Sequence, residues 1–471
     1  MKMINIKLII GCTLVGGLFS LTNCGDSNAQ ERSKISKEVK HQFHIPKLME
    51  RESLFGTIEE RDHVLDIYDN AVLAIKANPD DLASYLKIAE VFIQEGRVTG
   101  NYGYNNQSAL TVIDHIISDN EVSNDTKFQG LSLKATVLLS QHKFSQALTV
   151  GSQALSINAY NAGIYGVMVD ANVELGNYSE AVKMSDKMIS IRPDLRSYSR
   201  ISYLREIHGE NDGAIDAMKM AISAGYPGLE RKSWCRVALG GLYEDRGDLA
   251  NAEMQYTLAI EERENYPYAL AGLARLEMKK TNYDEAEKIY ENALTFIEDA
   301  GFYTELATVY MLQGKTEKLN KTKSRAFAAL NGDTHDSDHD HDHGHSHASS
   351  SGHGHNHEVG LEMARMYFEF TEDYNMALKN AMHEYEIRPN NIDVNQIIAA
   401  IFYQKGDYES AKMHLAKAMN TNSNSPKLNC LAGLITIETG NVAEGKKLLQ
   451  KSFSADPYQS HVLAKIAKNK L

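Results

Sequence analysis

The chain has 471 residues, with 49 Lys and Arg against 62 Asp and Glu, and a formal net charge of −13. This acidic balance argues against nucleic-acid binding and against long contact with anionic lipid headgroups. Few prolines and a single tryptophan favour an all-α chain, and no apolar run long enough to span a membrane follows the N-terminal segment.

Residues 1–24 have the pattern of an export signal. Two lysines precede an apolar stretch at 8–21, which is typical of a secretory signal peptide. The segment ends in LTNC, which resembles a bacterial lipobox. The resemblance implies a lipoprotein that is anchored by acyl chains on Cys24 in the cell envelope. Gly25 in place of an aspartate favours the outer membrane, on its periplasmic or surface face. An ordinary signal cut nearby and an uncleaved anchor are the alternatives.

Residues 25–56 are polar and are predicted to form a flexible tether, of which 43–55 can dock on the first helix. Residues 57–77 place apolar side chains on one stripe and predict an opening amphipathic helix. The next two helices are predicted at 82–94 and 107–117. The twelve residues between them, EGRVTGNYGYNN, are predicted as a long irregular turn because they are rich in Gly and Asn.

A helical hairpin is clearest between Trp234 and Glu261, which reads WCRVALGGLYEDRGDLANAEMQYTLAIE. Apolar residues follow helical spacing on both sides of a break at Gly247. Small residues such as Gly240 allow two helix backbones to approach closely, and Tyr256 fills the space beside them. The stretch predicts two amphipathic helices joined by a tight turn.

The same markers recur along the chain with a period near 34 residues. An alanine stands five residues beyond the turn glycine at Ala181, Ala214, Ala252 and Ala411, and similar positions in other repeats are held by Ala147, Ala286 and Ala377. The turn glycines are Gly176, Gly209, Gly247, Gly314, Gly406 and Gly440. The pattern resembles the tetratricopeptide repeat, a helix–turn–helix unit of 34 residues. The resemblance covers Pro79 to Pro457.

This resemblance implies an all-α superhelical solenoid of about ten degenerate repeats, in which each unit packs on its neighbours. The solenoid is expected in two parts, 57–332 and 358–471, and the second ends in a capping helix. In such solenoids the first helix of each unit lines a concave groove that binds a partner protein or peptide.

The family geometry also predicts which side chains face that groove. They are Arg196, Tyr203, Trp234, Glu244, Tyr268, Arg275, Met278, Met311 and Tyr403. Arginine and aromatic side chains are types that dominate binding energy at interfaces. The alternative is that Trp234 and Tyr268 pack between neighbouring units.

The repeats are interrupted at 333–357 by an insert of low complexity, DTHDSDHDHDHGHSHASSSGHGHNH. It holds nine of the chain's 18 histidines: His335, His339, His341, His343, His345, His347, His353, His355 and His357. The insert has no apolar residue larger than alanine, so it is predicted to be a disordered loop. Imidazole is a good ligand for zinc, nickel and copper, and carboxylates can complete the shell. The sequence therefore predicts metal binding here, with no other cofactor required. A solvated spacer is the alternative.

The sequence contains no phosphate-binding loop, nucleophile elbow or H-E-x-x-H helix, and we expect no enzymatic activity. Cys235 and Cys430 lie in different repeats and are not expected to pair. Two functions remain. One is a membrane-anchored interaction scaffold with an accessory metal-binding loop. The other is a dedicated metal-handling protein in which the histidine loop is the primary site.

Overall fold

The computed structural model describes residues 43–51, 57–331 and 358–471. The chain divides into two units, Met1–His44 and Ile45–Leu471. The described residues form 22 α-helices and no strand, and all of these helices lie in the second unit. The predicted all-α solenoid is therefore confirmed.

Ten helical hairpins follow one another between an opening helix, α1 (Ile58–Ala77), and a closing helix, α22 (Val462–Lys468). The first helices of the hairpins are α2 (Leu82–Thr99), α4 (Asn124–Ser140), α6 (Ala162–Glu174), α8 (Leu195–Ile207), α10 (Glu230–Glu244), α12 (Pro267–Lys279), α14 (Ala300–Gln313), α16 (Glu358–Met366), α18 (Ile392–Gln404) and α20 (Pro426–Glu438). The second helices are α3 (Tyr102–Ile117), α5 (Phe144–Ile157), α7 (Tyr178–Ile191), α9 (Asn211–Ala224), α11 (Leu249–Glu262), α13 (Tyr283–Ala293), α15 (Thr316–Asn331), α17 (Tyr374–Ile387), α19 (Tyr408–Ala418) and α21 (Val442–Ala455). A π-helical turn, Tyr367–Thr371, continues α16.

Among the described helices, none combines the length and the apolar character needed to cross a membrane.

The repeat markers have the structural roles that their spacing predicts. All seven marker alanines are fully buried. All six turn glycines have φ between +68° and +97°, the left-handed region that side chains with a Cβ disfavour. Between α10, α11 and α12 the ring of Tyr256 is fully buried, and a Cβ at Gly240 or Gly272 would lie 2.4 or 2.6 Å from it. These glycines therefore make room for the ring.

The long turn predicted at 95–106 is wrong. α2 continues to Thr99, and only Gly100 and Asn101 separate it from α3. The extra helical turn includes Glu95, whose buried carboxylate accepts two hydrogen bonds from Arg51 at 2.8 and 2.5 Å. A partner 44 residues away in sequence thus holds these residues in the helix. The local sequence pattern contains no sign of this contact.

Part of the predicted tether packs on the solenoid. Leu48 is buried, and the Tyr68 hydroxyl donates a hydrogen bond to the Pro46 carbonyl at 2.6 Å. The Tyr104 hydroxyl donates to the Lys47 carbonyl. Together with Arg51, these contacts hold residues 45–51 against α1 to α3.

The superhelix also brings distant hairpins together. The Asn424 side chain donates to the Gly209 carbonyl at 2.9 Å, and Lys279 binds Asp456 at 2.8 Å. Arg263 binds Glu60 at 2.7 Å. These partners are 177 to 215 residues apart in sequence. Hairpins therefore pack on hairpins of the next superhelical turn as well as on their neighbours in sequence. The resemblance to tetratricopeptide repeats did not imply this second kind of contact.

Candidate functional site

The first helices enclose a cavity of about 790 Å³ on the inside of the superhelix. α6, α8 and α10 form most of its wall. Arg97 from α2 and Lys427 from α20 also line it, because hairpins from the neighbouring superhelical turns reach the same space. The cavity is therefore formed by hairpins from successive superhelical turns and not by any single hairpin.

Five of the nine predicted groove residues lie on the wall of this cavity. They are Arg196, Tyr203, Trp234, Glu244 and Arg275. Trp234 and Tyr203 remain 41% and 39% exposed, so both rings are open to a ligand. For Trp234, the alternative of packing between units does not hold.

Tyr268 is one of the four predicted groove residues that do not lie on this wall. Its ring meets Tyr266 and Phe302 edge-on, with centroids 5.5 and 5.6 Å away, in the core between hairpins. The alternative of packing between units therefore describes Tyr268. The remaining groove candidates, Met278, Met311 and Tyr403, also lie off the cavity wall.

One end of the cavity is basic. Arg200 binds Asp170 at 2.8 and 2.6 Å, and Arg97 binds Glu230 at 2.8 Å. Two further arginines, Arg196 and Arg231, form no ion pair with any carboxylate of the described residues.

Burial and neighbouring positive charges lower the pKa of both unpaired arginines. Burial, and then repulsion from Arg196 and Arg97, lower the pKa of Arg231 to about 10. Burial also lowers the pKa of Arg196, with Arg200 and Arg97 acting in the same direction. Both guanidinium groups stay cationic at neutral pH and are available to an anion.

The other end is acidic. Glu206 and Asp245 form no ion pair among the described residues. Burial, and then the charges of Asp245 and Asp393, raise the pKa of Glu206 to about 7. Burial also raises the pKa of Asp245, and Glu244 adds to this while Lys427 opposes it.

Glu244 and Arg275 form a hydrogen-bonded ion pair with each other in the wall of the cavity. Arg275 Nε donates to Glu244 Oε2 at 3.1 Å, and the Tyr256 hydroxyl donates to the same oxygen at 2.9 Å. Burial alone would raise the pKa of Glu244, but Arg275 and Lys279 lower it below its usual value. These two predicted groove residues thus join the wall to the core at Tyr256 and leave little charge for a ligand.

Three arginines on the cavity wall were not predicted from the sequence: Arg97, Arg200 and Arg231. Two of them carried a usable signal, since Arg200 is four residues after Arg196 and Arg231 is three residues before Trp234, on the same helix faces. Arg97 had none, because it reaches the cavity from another superhelical turn.

Several other predicted positions lie outside the described residues. They are Cys24 and the nine histidines between His335 and His357. Within residues 43–51, 57–331 and 358–471, no group of three His, Cys, Asp or Glu side chains is placed to hold a metal ion. Cys235 and Cys430 are buried and free.

No model of a protein family matches the chain. A segment of 107 residues is 24% identical to the small glutamine-rich tetratricopeptide repeat-containing protein 2 of Saccharomyces cerevisiae. The match covers 22% of this chain, and it spans about a third of the relative, 31% of its length. The chain is a tetratricopeptide-like helical-repeat protein.

Solved structures with helical repeats are also similar to parts of the chain. Pseudomonas aeruginosa pilF shares 14% identity over 44% of this chain and 93% of its own, with a TM-score of 0.37. A thermophilic TPR protein of Thermus thermophilus shares 21% identity over 40% of this chain and 97% of its own, with a TM-score of 0.33. At these values the likeness carries no information about function.

Proposed function

We propose that the chain is an interaction scaffold that holds a segment of a partner protein in the cavity. The observation that carries this proposal is the pairing of two uncompensated arginines, Arg196 and Arg231, with the open rings of Tyr203 and Trp234 on one concave wall. Arginine and aromatic side chains supply most of the binding energy at protein interfaces. The cavity also falls within the range of roughly 300–1,000 Å³ that encloses compact ligands.

The resemblance to tetratricopeptide repeats supports the same function. A concave wall built from successive first helices is a surface on which an extended segment can contact several repeats at once. The wall is joined to the core through Glu244, Arg275 and Tyr256, so its side chains are held in place before a partner binds. Preorganised side chains lose less entropy on binding.

The experiment is a selection of peptides from a random displayed library on the purified chain. Bound peptides are titrated by following the fluorescence of Trp234, the chain's single tryptophan. The double variant Arg196→Ala, Arg231→Ala should weaken binding at least tenfold. Arg61→Ala is the matched control, because Arg61 lies on α1 and, among the residues that the structure describes, forms an ion pair only with its exposed neighbour Asp62. Selected peptides that bind the double variant as tightly as the wild type would exclude the cavity as the site.

We further propose that Cys24 carries a lipid that anchors the scaffold in a bacterial cell envelope. The support is the sequence LTNC at the end of an apolar stretch, followed by a polar segment. An anchor of this kind would keep the solenoid at the membrane that its partner occupies.

Metal handling is the second candidate function. It is favoured by the density of histidines at 335–357, many of which alternate with aspartates or glycines. In an extended chain, residues at i and i+2 point the same way, so a row of imidazoles can share one face. The two functions are compatible, since a scaffold can hold a partner that itself carries metal.

A further inference from the structure

Unpaired charges of opposite sign lie at opposite ends of α8 and of α10. Arg196 is the second residue of α8 and Glu206 the last but one. Arg231 is the second residue of α10, and Asp245 directly follows its last residue. All four side chains line the cavity, and none of them forms an ion pair with another residue that the structure describes.

The neighbouring charges leave this separation in place. At the basic end, Arg97 and Arg200 are each compensated by one carboxylate. The further acids near Arg196 are Asp194, which pairs with Arg192, and the exposed Glu90. At the acidic end, Arg275 and Lys279 pair with Glu244. Lys427 and, more weakly, Lys279 are the cations near Asp245, while Asp393 adds a second negative charge near Glu206.

The order of these charges also opposes the dipoles of both helices. A helix favours anions at its N-terminus and cations at its C-terminus. Here the arginines lie in the first turn and the free carboxylates at the end of each helix. Helix stability therefore does not account for the arrangement, and it occurs on two adjacent first helices that share the cavity.

The distance between the charges sets the length of a matching ligand. Arg196 and Glu206 are ten residues apart, which is about 15 Å along a helix, and Arg231 and Asp245 are fourteen apart, about 21 Å. An extended peptide rises about 3.3 Å per residue, so five or six residues span the interval. Tyr203 and Trp234 lie between the charged ends on their helices.

We propose that the occupant of the cavity is an extended peptide segment with acidic side chains at one end and basic side chains about five residues away. The acids bind Arg196 and Arg231, the bases bind Glu206 and Asp245, and the intervening residues cover Tyr203 and Trp234. This inference rests on the proposed scaffold function and states the chemistry of the partner.

The test uses three synthetic peptides of equal length, without tryptophan, on the whole chain. The segregated peptide has two Glu at one end and two Lys at the other, separated by five neutral residues. The alternating peptide has the same composition with Glu and Lys interspersed, and the neutral peptide has Gln in place of all four. Binding is followed by Trp234 fluorescence and calorimetry at low salt and at high salt.

The segregated peptide should bind at least tenfold more tightly than the alternating and neutral ones, and high salt should remove the difference. Equal binding of the segregated and alternating peptides would overturn the charge order and leave the scaffold function standing. A chain that binds selected library peptides but none of these three would also overturn the charge order. If no peptide from either source binds, the scaffold function of this cavity fails as well.

A charge-reversal variant distinguishes binding from folding. In the double variant Arg196→Glu, Arg231→Glu, both ends of the cavity are acidic. This variant should no longer bind the segregated peptide. Its affinity for a peptide with Lys pairs at both ends should be at least tenfold higher than that of the wild type. A gain of binding cannot result from misfolding. Lack of any gain, with unchanged helical circular dichroism, would contradict the proposal.

Discussion

Arg388 and Glu174 form an ion pair between residues 214 positions apart in sequence, with 2.5 Å between Arg388 Nη1 and Glu174 Oε2. Arg388 also binds Glu384 in its own hairpin at 2.9 Å and is almost fully buried. Beside this pair, the Asn391 side chain donates to the Glu174 carbonyl, and the Ile392 N–H donates to the Tyr178 hydroxyl. The turn of one hairpin is thus clamped to the connection between two others, one superhelical turn further along.

Replacing Arg388 by methionine should destabilise the fold by about 3 kcal/mol, because it leaves the fully buried Glu384 without its cation. Burial already raises the pKa of Glu384, while Arg388 opposes the rise. Without Arg388 the pKa rises further, and the protonated carboxyl tolerates burial. The loss of unfolding free energy should therefore be larger at pH 8 than at pH 5 in urea titrations. Lys447→Met, in an exposed pair with Glu444, is the control and should change the stability by less than about 1 kcal/mol.

Alanine substitutions at two turn glycines distinguish the cost of backbone strain from the cost of a steric clash. Gly176 and Gly406 have φ of +78° and +76°, but a Cβ at Gly176 would lie 2.4 Å from the Asn390 backbone carbon, while nothing lies within 4 Å at Gly406. Gly406→Ala should cost about 1–2 kcal/mol from strain alone. Gly176→Ala should cost at least about 1 kcal/mol more and should speed hydrogen exchange at Ile392, because the superhelical turns must separate. Equal destabilisation of the two variants would show that this contact adds nothing.

Glu206→Gln should stabilise the unliganded chain at high pH. The pKa of Glu206 is raised from 4.5 to about 7, so its contribution to stability is fully present below about pH 4.5 and is lost as pH rises through 7. The variant should therefore match the wild type near pH 4.5 and exceed it by about 1 kcal/mol at pH 8, after discounting for partial exposure. Thermal melts from pH 4.5 to 8 measure this difference, and a constant offset across that range would contradict it.

The lipid anchor is tested at Cys24. Cys24→Ser should release the chain from the membranes of a bacterial host and abolish its labelling by a radioactive fatty acid, because serine does not accept the thioether-linked lipid. Cys235→Ser is the matched control and should remain anchored. A Cys24→Ser chain that is still labelled and membrane-bound would overturn the lipobox assignment.

The histidine insert is tested by deleting 333–357. The intact chain should bind more than one equivalent of zinc or nickel in calorimetry, and binding should fade as pH falls through about 6, where imidazole gains a proton. The deletion variant should lose this uptake and keep its peptide binding if the scaffold is the primary function. Loss of both would make the metal central, and equal zinc uptake by both chains would exclude the insert as the site.

The local sequence pattern was sufficient to predict those features of the structure that depend on contacts between adjacent helices. The glycine and alanine markers identified the hairpin turns and the buried contacts of each pair, since both are set within about 34 residues. The same geometry placed Arg196, Tyr203 and Trp234 on the concave wall. It misplaced Tyr268, because a side chain at the edge of a helix face can turn toward the next hairpin, and here two rings receive it.

The sequence by itself determined the helical hairpin, its period and the side of the solenoid that each first helix presents, because these follow from contacts between neighbours in the chain. Only the tertiary structure decided that successive turns of the superhelix pack on each other and that Arg51 extends α2 through Glu95. It also decided that Arg97 and Lys427 reach a cavity lined mainly by α6, α8 and α10. Such contacts depend on the rotation accumulated over several repeats. Small differences in each repeat add up to decide which residues meet, and no pattern within one repeat records that sum.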